Sequence, residues 1–161
     1  MPRRKMYSEL LPLARTEEEL EILKKELDEL KACLYKPEGV YEEALSKKVR
    51  AGTAGVIRQF TAQGVIKDKA KFFEEIGKAL DSFKTLELTI AFEPREETIE
   101  RIWEWVRKNV GEGVVVKFKV EHAIGAGCIL VYQGKYRNYS FSKRLKDDFA
   151  SQKQALLKML N

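Results

Sequence analysis

The stretch Val114 to Leu145, VVVKFKVEHAIGAGCILVYQGKYRNYSFSKRL, brings strand alternation, glycine punctuation and a helix start together, and it constrains the fold more than any other part of the chain. Val114, Val116, Phe118 and Val120 alternate with Val115, Lys117, Lys119 and Glu121, the period-2 pattern of a strand that buries mainly one face. Cys128 to Tyr132 is apolar throughout and reads as a central strand covered on both sides. Between the two lies Ile124-Gly125-Ala126-Gly127, where closely spaced glycines suit a tight turn or bulge. Gln133-Gly134-Lys135 reads as a hairpin turn and Tyr136 to Tyr139 as a short amphipathic return strand. Ser140 or Ser142 is positioned to cap a helix beginning near Lys143.

Glycine-rich loops cradle phosphates when a helix follows directly, because its free amides and dipole then face the anion. Here a strand follows, and no Gly-Lys-Ser or Gly-Lys-Thr occurs anywhere, so a nucleotide loop is not expected.

The order of strand, Ile-Gly-x-Gly, apolar strand, glycine turn, return strand, Ser and Leu-bearing helix resembles the C-terminal domain of the ATP synthase delta subunit family, called oligomycin-sensitivity-conferring protein in mitochondria. The matching residues are Ile124, Gly125, Gly127, Gly134, Ser140 and Leu145. The family usually has two adjacent glycines where this chain has Gly125-Ala126-Gly127, and Asp where Asn138 stands. Asn can still accept a hydrogen bond or cap a turn there. The resemblance extends upstream to Leu86-Glu87-Leu88-Thr89-Ile90-Ala91-Phe92-Glu93-Pro94 and the helix after it, covering the last half of the chain well and the first half loosely.

The resemblance implies a non-catalytic subunit of the peripheral stalk of an F-type, proton-translocating ATP synthase. Such a subunit links the catalytic head to the membrane sector and resists rotation. Its implied partners are alpha and b-type subunits, with no small-molecule substrate and no cofactor. Its implied location is peripheral, on the cytoplasmic face of the cell membrane. In the family the N-terminal domain is a six-helix bundle that grips alpha, and the C-terminal end meets the b subunit. The stripe from Leu145 to Leu160 outlasts the small sheet, so Leu156 to Leu160 are expected either to fold back onto the bundle or to meet another protein; on the resemblance, Phe149, Leu156, Leu157 and Leu160 are the candidate stalk-binding residues.

The upstream half reads as helices. Thr16 and Glu19 form a capping-box pattern, and Leu20, Leu23, Leu27, Leu30 and Leu34 follow as one apolar stripe. That stripe is expected to pack within a bundle, with a coiled coil to another chain as the alternative. Lys36-Pro37-Glu38-Gly39 breaks the helix. Val40 to Gln63 is helical by composition, with Gly52 and Gly55 expected either to break it or to permit close packing. Asp68 caps a further helix carrying Phe72, Phe73, Ile76, Leu80 and Phe83.

Leu86, Leu88, Ile90 and Phe92 then mark a strand. Pro94 opens a helix with Ile99, Ile102, Trp103, Val106 and Val110 on its buried stripe; Trp105 lies off that stripe and is expected half-buried, with an exposed aromatic as the alternative. The predicted fold is an α-helical N-terminal bundle of four or five helices over residues 1–85, followed by a small α+β domain over residues 86–161 ordered strand-helix-strand-hairpin-helix.

Composition excludes little. The 161 residues include 44% hydrophobic residues, enough for a packed core, and no apolar run approaches the roughly 20 residues of a membrane span. The basic start soon contains Glu9, so a cleaved secretion signal is not expected and the N-terminus reads as cytoplasmic. Cys33 and Cys128 read as reduced core thiols.

His122, the only histidine, has no sequence-local nucleophile, and one histidine with two distant cysteines makes no zinc set. No catalytic, cofactor-binding or metal residue is expected. The net charge of +5 is spread over 30 basic and 25 acidic residues, locally basic only at Pro2 to Lys5 and at Lys135, Arg137, Lys143, Arg144 and Lys146. A small basic RNA- or DNA-binding protein is the alternative function, although no known nucleic-acid motif is present. A generic helical adaptor would explain the first half equally well.

Overall fold

The computed structural model describes residues 9–160, with side chains described through residue 150. Element order is a 3₁₀ turn (Leu11–Leu13), α1 (Glu17–Cys33), α2 (Val40–Lys47), α3 (Ala51–Ala62), α4 (Lys69–Asp81), β1 (Lys84–Ile90), α5 (Glu96–Asn109), β2 (Val114–Val120), a 3₁₀ turn (His122–Ile124), β3 (Cys128–Tyr132), β4 (Lys135–Asn138) and α6 (Phe141–Leu160). This is an α+β architecture with a helical N-terminal part, as the sequence predicts. By internal packing the chain divides into Met1–Lys84 with Trp103–Val115, and Thr85–Ile102 with Val116–Asn161.

In the first unit α1 starts where the sequence places it. Thr16 Oγ1 accepts the Glu19 amide at 3.1 Å while the Glu19 carboxylate reaches back to the Thr16 amide. Its stripe of Leu20, Leu23, Leu27 and Leu30 is buried in one core with Ile57, Phe60, Phe72, Phe73 and Ile76. The leucine stripe is therefore covered within the chain, by α2 and α4. Three aromatic pairs, Phe60 with Phe72, Phe72 with Phe73, and Tyr41 with Phe73, meet edge to face.

Val40 to Gln63 is broken, but ahead of the glycines, between Lys47 and Ala51. Gly52 instead lies inside α3, where a Cβ would stand 2.8 Å from Leu13 Cδ2. Gly55 and Gly77 occupy helix interiors with nothing near the position of a Cβ. Replacing either with alanine is expected to raise stability by about 0.5–1 kcal/mol, whereas Gly52→Ala gains less because Leu13 must move. Urea midpoints of the three variants test this.

One carboxylate sits where the apolar stripe predicts a hydrocarbon. Glu26 is 7% exposed, and it is held by the Arg50 backbone amide at 2.7 Å, by Arg50 Nε at 3.0 Å and by Thr53 Oγ1 at 2.7 Å. Burial by itself raises the Glu26 pKa; the hydrogen bonds from Arg50 and Thr53, with the arginine's charge, outweigh it and hold the group below the usual carboxylate range. The start of α3 is thereby pinned to the middle of α1.

Tyr41 lies under Lys69, whose Nζ is 4.0 Å from the ring centroid. Burial, with the neighbouring Glu42 charge second, pushes the phenol up to about 12. A raised folded-state pKa contributes stability that is complete below the unfolded value of 10.0 and is lost as pH climbs through about 12. An absorbance titration should show one of the six tyrosines ionising late, and Tyr41→Phe should abolish that step.

The second unit centres on a four-stranded sheet of order β2-β1-β3-β4. β3 runs antiparallel to β1, with Leu88 opposite Leu130, and β4 runs antiparallel to β3, with Leu130 opposite Arg137. The Lys84 amide bonds the Gly113 carbonyl and the Glu121 amide the Ile90 carbonyl, so β2 runs parallel to β1, as the helical crossover between them requires.

Three expectations are corrected here. β3 is interior in the sheet but only half-buried at every position, because β4 beside it is short and open. Phe92 is 54% exposed, since β1 ends at Ile90 and the chain leaves the sheet before reaching it. Trp105 is exposed (53%) rather than half-buried, consistent with its place off the stripe that buries Trp103 and Val106.

Candidate functional site

The turn between β2 and β3 and the link from β4 to α6 form one joint. Gly125 and Gly127 have φ of +73° and +81°, the left-handed region that favours glycine. A Cβ on Gly127 would stand 2.2 Å from the Tyr139 carbonyl oxygen, so the link runs directly over this glycine. Two backbone bonds close the joint on either side: the Tyr139 amide donates to Cys128 O and the Phe141 amide to Ala126 O, both at 2.8 Å. Ser142 Oγ adds a bond to Ala123 O at 2.8 Å.

Asn138 shapes the link. Its Oδ1 accepts the Ser140 amide at 2.9 Å and its Nδ2 donates to the Tyr136 hydroxyl at 3.1 Å. Ser140, 4% exposed, is the helix cap, its Oγ accepting the Lys143 amide at 3.3 Å. The helix accordingly begins at Phe141, two residues ahead of the expected Lys143.

Of the residues singled out in the sequence, Ile124 (buried), Gly125, Gly127, Asn138 and Ser140 meet at this joint. Gly134 stands apart at the hairpin tip, with φ of +75° after Gln133 at +50°, a turn with two left-handed residues. Leu145 lies one turn into α6, 37% exposed, and Phe149 is 66% exposed. Phe141, Leu145 and Phe149 recur every four residues and form one exposed apolar stripe. Leu156, Leu157 and Leu160 lie on α6 with side chains outside the described residues.

Sequence reading marked the bases around β4 but missed the exposure of the tyrosines beside them. Tyr136 and Tyr139 are exposed, and Asn138, Tyr139, Ser140, Lys143, Arg144 and Asp147 line an open cleft of about 370 Å³. Alternation marks which residues share a face, and nothing in the sequence shows that no element covers β4. His122 is exposed, its Nδ1 2.6 Å from Ala91 O. Burial raises the Cys128 pKa, which lowers its thiolate fraction. Ser140 Oγ is committed to the helix amides, and among the described residues no group of three or more His, Cys, Asp or Glu gathers as a metal set. No described helix is long and apolar enough to cross a membrane.

No protein-family model matches the chain, and no curated protein matches it. A chain of the Toxoplasma gondii mitochondrial ATP synthase hexamer is similar in structure, at 13% sequence identity and a TM-score of 0.35, over 92% of this chain and 94% of that one. These values are too low for the likeness to bear on function.

Proposed function

We infer that the chain is a delta-type subunit of the peripheral stalk of an F-type ATP synthase. The observation that supports this reading is the joint itself: Ile124, Gly125, Gly127, Asn138 and Ser140, five positions of the delta-family pattern, are gathered into one closed junction between sheet and terminal helix. Asn138 keeps the turn-shaping role open to the family's Asp, by accepting the Ser140 amide.

The task in this reading is mechanical. Rotation of the central shaft applies torque to the catalytic head, and the stalk must hold the head still. That calls for stiff parts with separate partner surfaces. Residues 1–85 would hold alpha, and residues 86–161 the b-type chain, through Phe149 and the distal leucines of α6. Stiffness has a physical source: among the described residues every buried side-chain polar atom has a hydrogen-bond partner. The subunit would be peripheral, on the cytoplasmic face of the cell membrane, and would do no chemistry of its own.

Affinity capture of the tagged full chain from gently solubilised membranes of its host should recover alpha, beta and b-type chains. Recovery of unrelated proteins without any of these would reject the reading. Leu156→Asp with Leu160→Asp should lower recovery of the b-type chain at least tenfold while leaving the thermal melt unchanged. Undiminished recovery would remove the distal helix from the interface.

A further inference from the structure

The exposed cations and tyrosines where β4 runs into α6 serve neither the core nor the distal half of that helix. Some lysines elsewhere are matched, Lys47 by Glu43, Lys48 by Glu29, Lys78 by Glu74 and Lys119 by Glu87. Here, among the described residues, Lys135, Arg137, Lys143 and Arg144 are exposed and form no ion pair. Residues 135–149 hold five bases and two acids, a net charge of +3. Tyr139, 65% exposed, lines the cleft together with Lys143 and Arg144. Lys143 and Asp147 lie on the side of α6 opposite Phe141, Leu145 and Phe149, and Arg144 lies at the margin between the two faces.

We propose that this corner binds single-stranded nucleic acid, with the phosphates at Lys143 and Arg144 and an unpaired base stacked on Tyr139. Positive charge beside exposed aromatic rings is the pairing such ligands require: cations release the counterions of the phosphates, and a ring stacks on any base. The lining favours this occupant over an acidic protein helix. Asn138, Ser140 and Asp147 line the same cleft with polar groups, which gives a leucine or isoleucine anchor no apolar seat, and the Asp147 carboxylate can accept from a base N–H. A base in a duplex is already stacked, so the site selects single strands.

The test is fluorescence anisotropy of the full chain with a labelled oligo-uridylate, at salt from about 50 to 200 mM. Binding that weakens with salt is expected. Lys143→Ala with Arg144→Ala should lower the slope of log affinity against log salt by about 0.7 for each cation removed. Tyr139→Ala should cost about 5- to 100-fold, as loss of one stacking ring does, while Tyr139→Phe, which keeps the ring, should bind as the parent does. Matching thermal melts show that the variants fold.

Absence of binding at the lowest salt, equal affinity for duplex, or an unchanged affinity in Tyr139→Ala would each overturn the proposal. Displacement of the oligonucleotide by polyglutamate at equal charge would also overturn it, in favour of an acidic protein partner. Tyr139→Ala should leave capture of b-type chains intact, so failure here and failure of the stalk reading are separable.

Discussion

Gly127→Ala is expected to destabilise the protein by about 3–4 kcal/mol, although it adds one methyl group. The left-handed conformation at φ +81° costs an L-residue about 1–2 kcal/mol. The added carbon would also meet only backbone: Tyr139 O at 2.2 Å, Tyr139 C at 3.1 Å and Ser140 Cα at 3.3 Å. No side chain can rotate aside. The link must move, at the expense of the bonds to Cys128 O and Ala126 O, each worth about 1 kcal/mol. Gly134 is the control. Its φ of +75° is nearly the same, but nothing lies within 4 Å of its Cβ position, so Gly134→Ala should cost only about 1–2 kcal/mol. Urea unfolding of both variants measures the difference. Equal losses would mean that conformation alone, and not the close crossing, fixes the glycine.

Arg50→Ala should cost about 3–5 kcal/mol, because it leaves the buried Glu26 carboxylate without its counter-charge. Arg50 also reaches the carbonyls of Leu13 and Glu19, so its loss loosens the N-terminal turn as well. The pH dependence identifies the mechanism. Glu26 is held below its ordinary value of 4.5, so its contribution is present above that value and is lost as pH falls through the folded-state pKa. The parent should therefore lose stability as pH falls below 4.5 and through the lower folded-state value, and Arg50→Ala should lose less over that range. Glu19, lowered by Arg15 and Thr16 against its own desolvation, titrates with the same sign. Double substitution of Glu26 and Arg50 by apolar residues of similar volume should recover much of the loss. An Arg50→Ala variant as stable as the parent at neutral pH would show that water replaces the guanidinium.

The parts of the fold that were legible in the sequence are those fixed by local chemistry. Thr16 and Glu19 announce the start of α1, Asp68 that of α4, and the spacing of Leu20, Leu23, Leu27 and Leu30 their shared buried face. Glu26 was not legible as a buried group, even though it falls three residues after Leu23 on that same face. Its partner is 24 residues away, a distance no periodicity reports. Phe92 and Tyr136 of β4 fail for a related reason: alternation says which residues share a face, but not whether anything covers it. At the joint, the glycines were legible as turn residues. The crossing of Gly127 by Tyr139 was not, because it depends on how two segments twelve residues apart meet.

The rims of the sheet carry a consequence for aggregation. β2 and β4 are its two edges, and segments such as Val114 to Val116 and Cys128 to Tyr132 have the β-branched, uncharged character that seeds cross-β stacking. The edges are marked by Lys117 and Lys119 on β2 and by Lys135 and Arg137 on a β4 only four residues long. A second molecule approaching along β4 would bring like charges together before any backbone pairing formed. Valine at these four positions would leave the monomer's own strand register satisfied while turning the sheet into a template for fibrils.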